Sequence, residues 1–384
     1  MDATATPEIL RLLNEVPDPR GPNCLHQLHD ILCIALMAVI SGCCGWVDVE
    51  EFALVRQDWL QTFLDLPSGI PSHDTFGRVF ARLDPEAFEA VLLKWTGHLA
   101  DLSGGKLVAL DGKSIRRSFE NAWDKAGMAH IVSAFMQANS LCLAQVKCDG
   151  KGQELQAMEK LLALVDVTGA VVSIDAIGCN AHMAGVITKA RAGYVLQVKE
   201  NQPTLLAKCQ TIFAEAILEK FQGCVCDTHQ HVASDHGRIE TRNITVLWNP
   251  ELLGELQSDW SNLKCLVRLE NTRETPGPKA MKVQQETHYY ISTLDSRHNA
   301  QTMLSYVRGH WSVENNLHWH LDVTFGEDDR RLRKGHGAEN FSRLSRVALN
   351  LLKAEKTPQK SIRVKRKLCG WSADFLLKVL TSLS

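Results

Sequence analysis

The chain has 384 residues, is 45% hydrophobic and 22% charged, and carries a formal net charge of −2. That is the balance of a soluble globular protein with room for two or three domains. It excludes bulk positive charge as the means of holding nucleic acid.

Residues from about 1 to 100 read as a helical domain. Leu25, Leu28, Ile31, Leu32 and Ile34 to Val39 predict one strongly apolar helix, and Asp48 to Phe63 an amphipathic one with Trp59 and Leu60 inward. Ser72-His73-Asp74 predicts the cap of a third helix, and Asp84-Pro85 opens a fourth with Pro in its first turn. The pattern then changes. Strands are expected at 106–111, 129–137 and 141–148, a helix at Glu154 to Leu164, a strand at 170–175, a helix at 180–191 and a strand at 194–199. Three strands followed by alternating helix and strand predict an α/β fold with a ribonuclease-H-like mixed sheet, in which 106–111 and 170–175 lie side by side. A β-rich insertion is expected over about 222–294, with strands at Glu240 to Leu247, Lys264 to Leu269 and Thr287 to Ser292 and a turn at Asn271 to Lys279. C-terminal helices follow from Ser296. The expected division is 1–100 as the helical domain and 101–384 as the core with its insertion.

Between Arg330 and Lys367, thirteen Lys or Arg stand against two acids, Glu339 and Glu355. The stretch is therefore +11 and the rest of the chain −13, which predicts a phosphate-facing surface or a solvated helix face. The twelve cysteines are scattered, without a C-x-x-C pair or zinc-site spacing. Cys33, Cys142 and Cys265 sit in apolar runs as small hydrophobes, so free thiols in a reducing compartment are expected. The start MDATATPEIL lacks the basic and apolar regions of a signal peptide, and the longest apolar run, Ile31 to Cys44, is shorter than the ~20 residues that span a bilayer. A cytoplasmic protein with no membrane partner is expected.

Three acids stand out. Asp111 ends the apolar run Leu107 to Leu110 and precedes Gly112-Lys113-Ser114-Ile115-Arg116-Arg117. Asp175 ends Val171 to Ile174, ahead of a turn at Gly178 and a helix that Asn180 can cap. A strand-end carboxylate is where open α/β sheets place chemistry. Two on neighbouring strands repel unless a cation neutralises them, and Mg²⁺, which prefers oxygen ligands, fits best. Glu314 reads as part of a helix that turns His310, Glu314, His318 and Leu321 to one face. Two of the acids also have a plain alternative: an Asp-Gly turn for Asp111, and an exposed Glu paired with a protonated His for Glu314. Lys199-Glu200-Asn201-Gln202 follows a strand, and Arg238 and Arg242 lie on one side of another, whose plain reading is a charged edge strand.

With these residues in place, the chain resembles the H-repeat-associated family of bacterial insertion-sequence transposases, which are DDE transposases with a ribonuclease-H-like core. The resemblance rests on Gly69-Ile70-Pro71-Ser72-His73-Asp74, Leu110-Asp111-Gly112-Lys113-Ser114, Ile174-Asp175-Ala176, Val198-Lys199 with Asn201-Gln202, and His310-Trp311-Ser312-Val313-Glu314-Asn315 with Leu317-His318-Trp319. It implies a catalytic and metal-binding triad of Asp111, Asp175 and Glu314, holding two Mg²⁺ ions for which Mn²⁺ substitutes. It implies double-stranded DNA as partner, a homo-oligomer when two ends are synapsed, and a place beside the bacterial nucleoid. Expected DNA contacts are Lys113, Arg116, Arg117, Lys199, Asn201, Arg238, Arg242, His310, Arg330, Arg331, Arg333 and Lys334. Related transposases carry a Y-x2-R-x3-E-x6-K signature, where this chain has Val307, His310 and Leu321 around Glu314. A DNA-binding remnant without activity, and a nuclease on the same fold, stand as alternatives.

Overall fold

The computed structural model describes residues 6–99, 105–118, 128–148, 150, 152–235, 237–276 and 281–383. His236 and part of the expected 271–279 turn lie outside them. In chain order the elements begin with helices α1 (Glu8–Leu12), α2 (Leu28–Ile40), α3 (Trp46–Val55), α4 (Gln57–Leu60), α5 (His73–Arg82) and α6 (Pro85–Leu99). Next come strands β1 (Leu107–Ser114), β2 (His130–Met136) and β3 (Leu141–Lys147), then α7 (Glu154–Leu164), β4 (Val171–Ile174), α8 (Ala181–Lys189) and β5 (Gly193–Val198). This is the chain order of a ribonuclease-H-like α/β fold. A further helix, α9 (Pro203–Leu218), leads into the insertion strands β6 (Cys226–Asp235), β7 (Arg238–Leu247), β8 (Cys265–Thr275) and β9 (Lys282–Ser292). The last helices are α10 (Ala300–His310), α11 (Gly337–Ala354), α12 (Ile362–Trp371) and α13 (Ala373–Leu380). Among the described residues no helix is long and apolar enough to cross a membrane.

The chain forms two compact units, one of Met1–Asp101, Gly112–Val165 and Glu314–Ser384, the other of Leu102–Asp111 and Asp166–Val313. In the second unit the strand order is β1-β4-β5-β9-β8-β7-β6. β1, β4 and β5 are parallel, while β5 pairs antiparallel with β9. The insertion therefore widens the sheet instead of standing apart from it.

The first unit is built on α2 and α11. In α2 every residue but His29 is buried, and α11 packs against it. Where the chain was expected to be one helix from Asp48 to Phe63, α3 and α4 are broken at Arg56, whose guanidinium reaches the Gly370 carbonyl at 2.6 Å. Ser72 occupies the predicted cap position of α5, but its hydroxyl meets Thr75 Oγ1 at 3.2 Å and caps no backbone N–H. Asp84 does cap α6, accepting from Glu86 N at 2.9 Å.

α11 corrects the expectation of an outward-facing basic block. Its buried face carries Asn340, Arg343, Arg346 and Asn350 as well as Phe341 and Leu344. Asn350, with Glu89 of α6, completes the backbone hydrogen bonding of β3, while Asn340 donates to the Phe80 and Leu83 carbonyls. The Asn350 amide exchanges two hydrogen bonds with the backbone of Cys142, at 3.0 and 2.9 Å. Glu89 of α6 accepts from Gln145 N at 2.9 Å and from Arg343 Nε at 2.7 Å. Elsewhere in the stretch, the buried Arg330 stacks on Phe341, the buried Arg366 stacks on Phe325, and the Lys365 ammonium donates to the Leu352 carbonyl at 3.0 Å. Much of the +11 is thus internal. Arg331, Lys334, Lys356, Lys360, Arg363 and Lys367 are exposed.

No disulfide joins the cysteines, and Cys33, Cys142 and Cys265 are buried as expected.

The Glu89–Arg343 pair yields a stability prediction. Removing one partner strands a buried charge, so Arg343→Leu is expected to lose about 3–5 kcal/mol in urea unfolding. The double change Glu89→Leu with Arg343→Leu is expected to recover most of that loss.

Candidate functional site

In the second unit, β1 and β4 pair in register from Leu107↔Val171 to Leu110↔Ile174. All eight residues are buried. The next residue on each strand is an aspartate, Asp111 and Asp175, and both are half-buried. Adjacent strands lie ~4.8 Å apart, so two carboxylates leave the sheet side by side at one level. β1 does not end at Asp111 as expected. Its pairing with β4 stops there, while the strand continues to Ser114.

Asp175 is fixed by its own turn. Its Oδ1 accepts from Ile177 N at 3.2 Å as the cap of the short 3₁₀ helix Ala176–Gly178. A Cβ at Gly178 would lie 2.2 Å from Ile174 Cγ2, so this turn admits only glycine. Asn180 then caps α8, accepting from Met183 N at 2.8 Å.

The segment after β5 braces the same turn. Asn201 Nδ2 donates to the Ala176 carbonyl at 2.6 Å, and Gln202 Nε2 to the Cys179 carbonyl at 3.0 Å. Asn201 was predicted to touch DNA. Its amide is instead engaged in holding the loop that carries Asp175.

His310, at the C-terminal end of α10, places Nδ1 3.0 Å from the hydroxyl of the buried Ser173 on β4. Burial lowers its pKa, the Asp175 carboxylate pulls it back up, and Lys199 lowers it again. The three predicted residues Asp175, Lys199 and His310 thus share one neighbourhood. Arg238 and Arg242 lie on the same face of β7, and both reach the Glu240 carboxylate.

In the first unit, the expected α-helix around Glu314 is replaced by two π-helical segments, Glu314–His318 and His320–Thr324. This wide turn is rare and occurs frequently at functional sites. Glu314 is exposed, while His318 is buried with Nδ1 3.2 Å from Glu314 Oε2. Burial and the nearby Arg346 lower the His318 pKa to about 4, against the pull of Glu314. The imidazole is therefore neutral at pH 7, and the Nδ1–H donates to the carboxylate.

Lys113 was predicted to face phosphate. It is buried, with its ammonium 2.7 Å from Asp322, 3.1 Å from Glu327 and 3.3 Å from Asp328. Glu327 also pairs with Arg346 at 3.4 Å and accepts from Ser342. Burial alone would raise the Glu327 pKa, but Arg346, Lys113 and Arg330 hold it at about 2. Arg330, likewise predicted to face phosphate, donates to Ser345 Oγ and the Phe325 carbonyl, each at 2.8 Å. Both residues are structural cations. The sequence marked them as basic but held no sign of the groups that meet them. Arg116 and Arg117 are exposed and lie near Asp328 and Asp329, at 3.2 and 3.5 Å. Arg331 and Lys334 are exposed and Arg333 is half-buried.

The donor chemistry of the two strand ends fits a hard divalent cation: both are carboxylates, side by side and open to solvent in part.

Two family models match the chain, "DDE_Tnp_1-associated" over residues 10–96 and "Transposase DDE domain" over residues 102–351. "Putative transposase YncI" of Escherichia coli O157:H7 is 34% identical over 378 residues, covering 98% of this chain and 95% of that protein. "H repeat-associated putative transposase YhhI" of Escherichia coli strain K12 is 32% identical over 374 residues, covering 97% of each. Among solved structures, a cryo-EM piggyBac transposase synaptic complex with hairpin DNA aligns at a TM-score of 0.39 and 11% identity, covering 98% of this chain and 78% of that one. That likeness is too slight to bear on function.

The ion cluster sets an acid response. Glu327 has a folded pKa of about 2 against an ordinary 4.5, so its contribution is complete above pH 4.5 and is lost as pH falls toward 2. Urea midpoints are expected to fall across that window. Glu327→Gln is expected to be less stable at pH 7 and to show a shallower fall.

Proposed function

The chain belongs to the H-repeat-associated transposases, which carry a DDE transposase domain, and from that premise we propose that it cuts and joins DNA at the ends of an insertion sequence, using Asp111, Asp175 and Glu314 as its metal-holding triad. The observation that carries this reading is the paired exit of Asp111 and Asp175 from adjacent parallel strands. Two Mg²⁺ ions, or Mn²⁺ in their place, would supply charge stabilisation to the attacking and leaving oxygens of an in-line displacement at phosphorus.

The protein's own groups do the positioning. Asp111 and Asp175 hold oxygen donors at one level. His318 orients the Glu314 carboxylate by donating to it. Asn201 and Gln202 fix the Asp175 turn, so they act through Asp175 and not on the substrate. Lys199, Arg116, Arg117, Arg331, Arg333 and Lys334 are the candidates for phosphate contact on double-stranded DNA, with Arg238 and Arg242 on the insertion. The module before residue 100 would recognise element ends, and that from 101 to 384 would carry the chemistry. Synapsis of two ends calls for at least two copies of the chain, acting in the cytoplasm beside the nucleoid.

A DNA-binding remnant is the second reading. It is favoured by Leu321 in place of the signature Lys, and by His310 in place of the Arg, since burial disfavours a charge on that imidazole.

The test is cleavage of a labelled duplex carrying the element's own ends, in Mn²⁺. Cutting at the end by the native chain and its abolition in Glu314→Gln are expected. Failure of both proteins to cut, with DNA binding retained, would favour the remnant. In the same assay Asn201→Ala is expected to slow cleavage about tenfold, the scale at which a ligand's supporting partners act.

A further inference from the structure

On the insertion, α10 covers one face of the sheet. Ile244, Val246, Val267 and Leu269 pack there against Met303, Leu304 and Val307. Two residues further along each strand, the same face turns polar. His231 of β6 stands directly opposite Arg242 of β7, and Arg242 directly opposite Asn271 of β8. These side chains form one row across three strands. Arg308, in the last turn of α10, comes close enough to Arg242 and His231 for its charge to act on both.

Two features of this row are costly as they stand. First, His231 Nδ1, Arg242 Nη1 and Asn271 Oδ1 are all buried without a hydrogen-bond partner among the described residues. Such orphans are uncommon, and each calls for an explanation. Second, positive charge is concentrated there. Arg238, Arg242 and Arg273 all share the single Glu240 carboxylate, with Arg238 at 3.0 Å and Arg273 at 3.2 Å. Arg308 is exposed, and among the described residues no ion pair to a carboxylate is seen for it. The acid that continues the row on β9, Glu286, stands opposite Asn271 and is turned to His288 at 3.4 Å. Burial and the Arg242 charge lower the Arg308 pKa, against the pull of Glu240. Burial, Arg308 and Arg242 lower that of His231. An anion with several acceptor oxygens would relieve both the repulsion and the orphaned donors. Turning the Asn271 amide over would add a further donor.

We propose that His231, Arg242 and Arg308 clasp one phosphate of a DNA backbone, using none of the triad carboxylates. A contact of this kind fixes where the duplex lies and carries no base information. The proposal rests on the reading that the chain acts on DNA, and it adds a defined anchor that joins Arg242 to Arg308 and to His231, a residue that sequence reasoning did not single out. The feature hidden from the sequence is the register that aligns three strands.

The test measures duplex binding by the full chain in EDTA, where cleavage is silent, between about 50 and 200 mM salt. Arg242→Gln and Arg308→Gln are each expected to weaken binding roughly three- to tenfold on any sequence and to reduce the log–log salt slope by about 0.9. Glu240→Gln removes the competing carboxylate and is expected to tighten binding, a gain that misfolding cannot mimic. Slopes unchanged in both arginine variants, with the native chain still binding, would overturn the clasp and leave the triad reading intact. A native chain that binds no duplex would overturn the DNA reading along with it. Inorganic phosphate separates the two sources. If it raises the native melting temperature while Arg308→Gln keeps native DNA affinity, the pocket serves the free ion and the proposal fails.

Discussion

Four apolar pairs between β1 and β4 set the level at which Asp111 and Asp175 leave the sheet. Both faces of β1 are buried here, so a slip of one residue would draw Asp111 into the apolar layer or push an apolar residue out of it. Burial on both strands therefore enforces the register, and the register delivers the two carboxylates together. The remaining features at this end of the sheet act on that pair. Gly178 lets the Asp175 turn close over Ile174, and Asn201 and Gln202 tie the turn to the loop after β5.

Charge is divided between two tasks. In the first unit, Arg330, Arg343, Arg346, Lys113 and Lys365 are buried and answered by acids, hydroxyls, carbonyls or an aromatic ring. A buried charge with its partners removed is strongly destabilising, so these residues hold α11 and its neighbours in one arrangement. On the insertion, by contrast, arginines outnumber the carboxylate they share, and hydrogen-bonding atoms in the same row are left without partners. The first pattern is closed on itself, and the second is open to an anion.

Much of this architecture was legible in the chain. The apolar runs ahead of Asp111 and Asp175 marked both strands and their adjacency, and the cap residues Asp84 and Asn180 are seen in place. What failed to show were partners distant in sequence. Lys113 meets acids more than two hundred positions away, and Arg343 meets Glu89 over a similar separation, so a count of local charge misread an internal network as a surface. Asn201 was expected at DNA, since nothing local indicates which carbonyls it will reach. The π-helical turn at Glu314 was equally hidden, because a 3.6-residue periodicity describes an ordinary helix and not a widened one.

Metal held by the strand-end aspartates is tested most directly by calorimetric titration of Mn²⁺ into the native chain and into Asp111→Asn and Asp175→Asn. Heat of binding in the native protein that disappears in both variants, with their circular dichroism unchanged, is the expected result. Metal uptake that persists undiminished in both variants would contradict it.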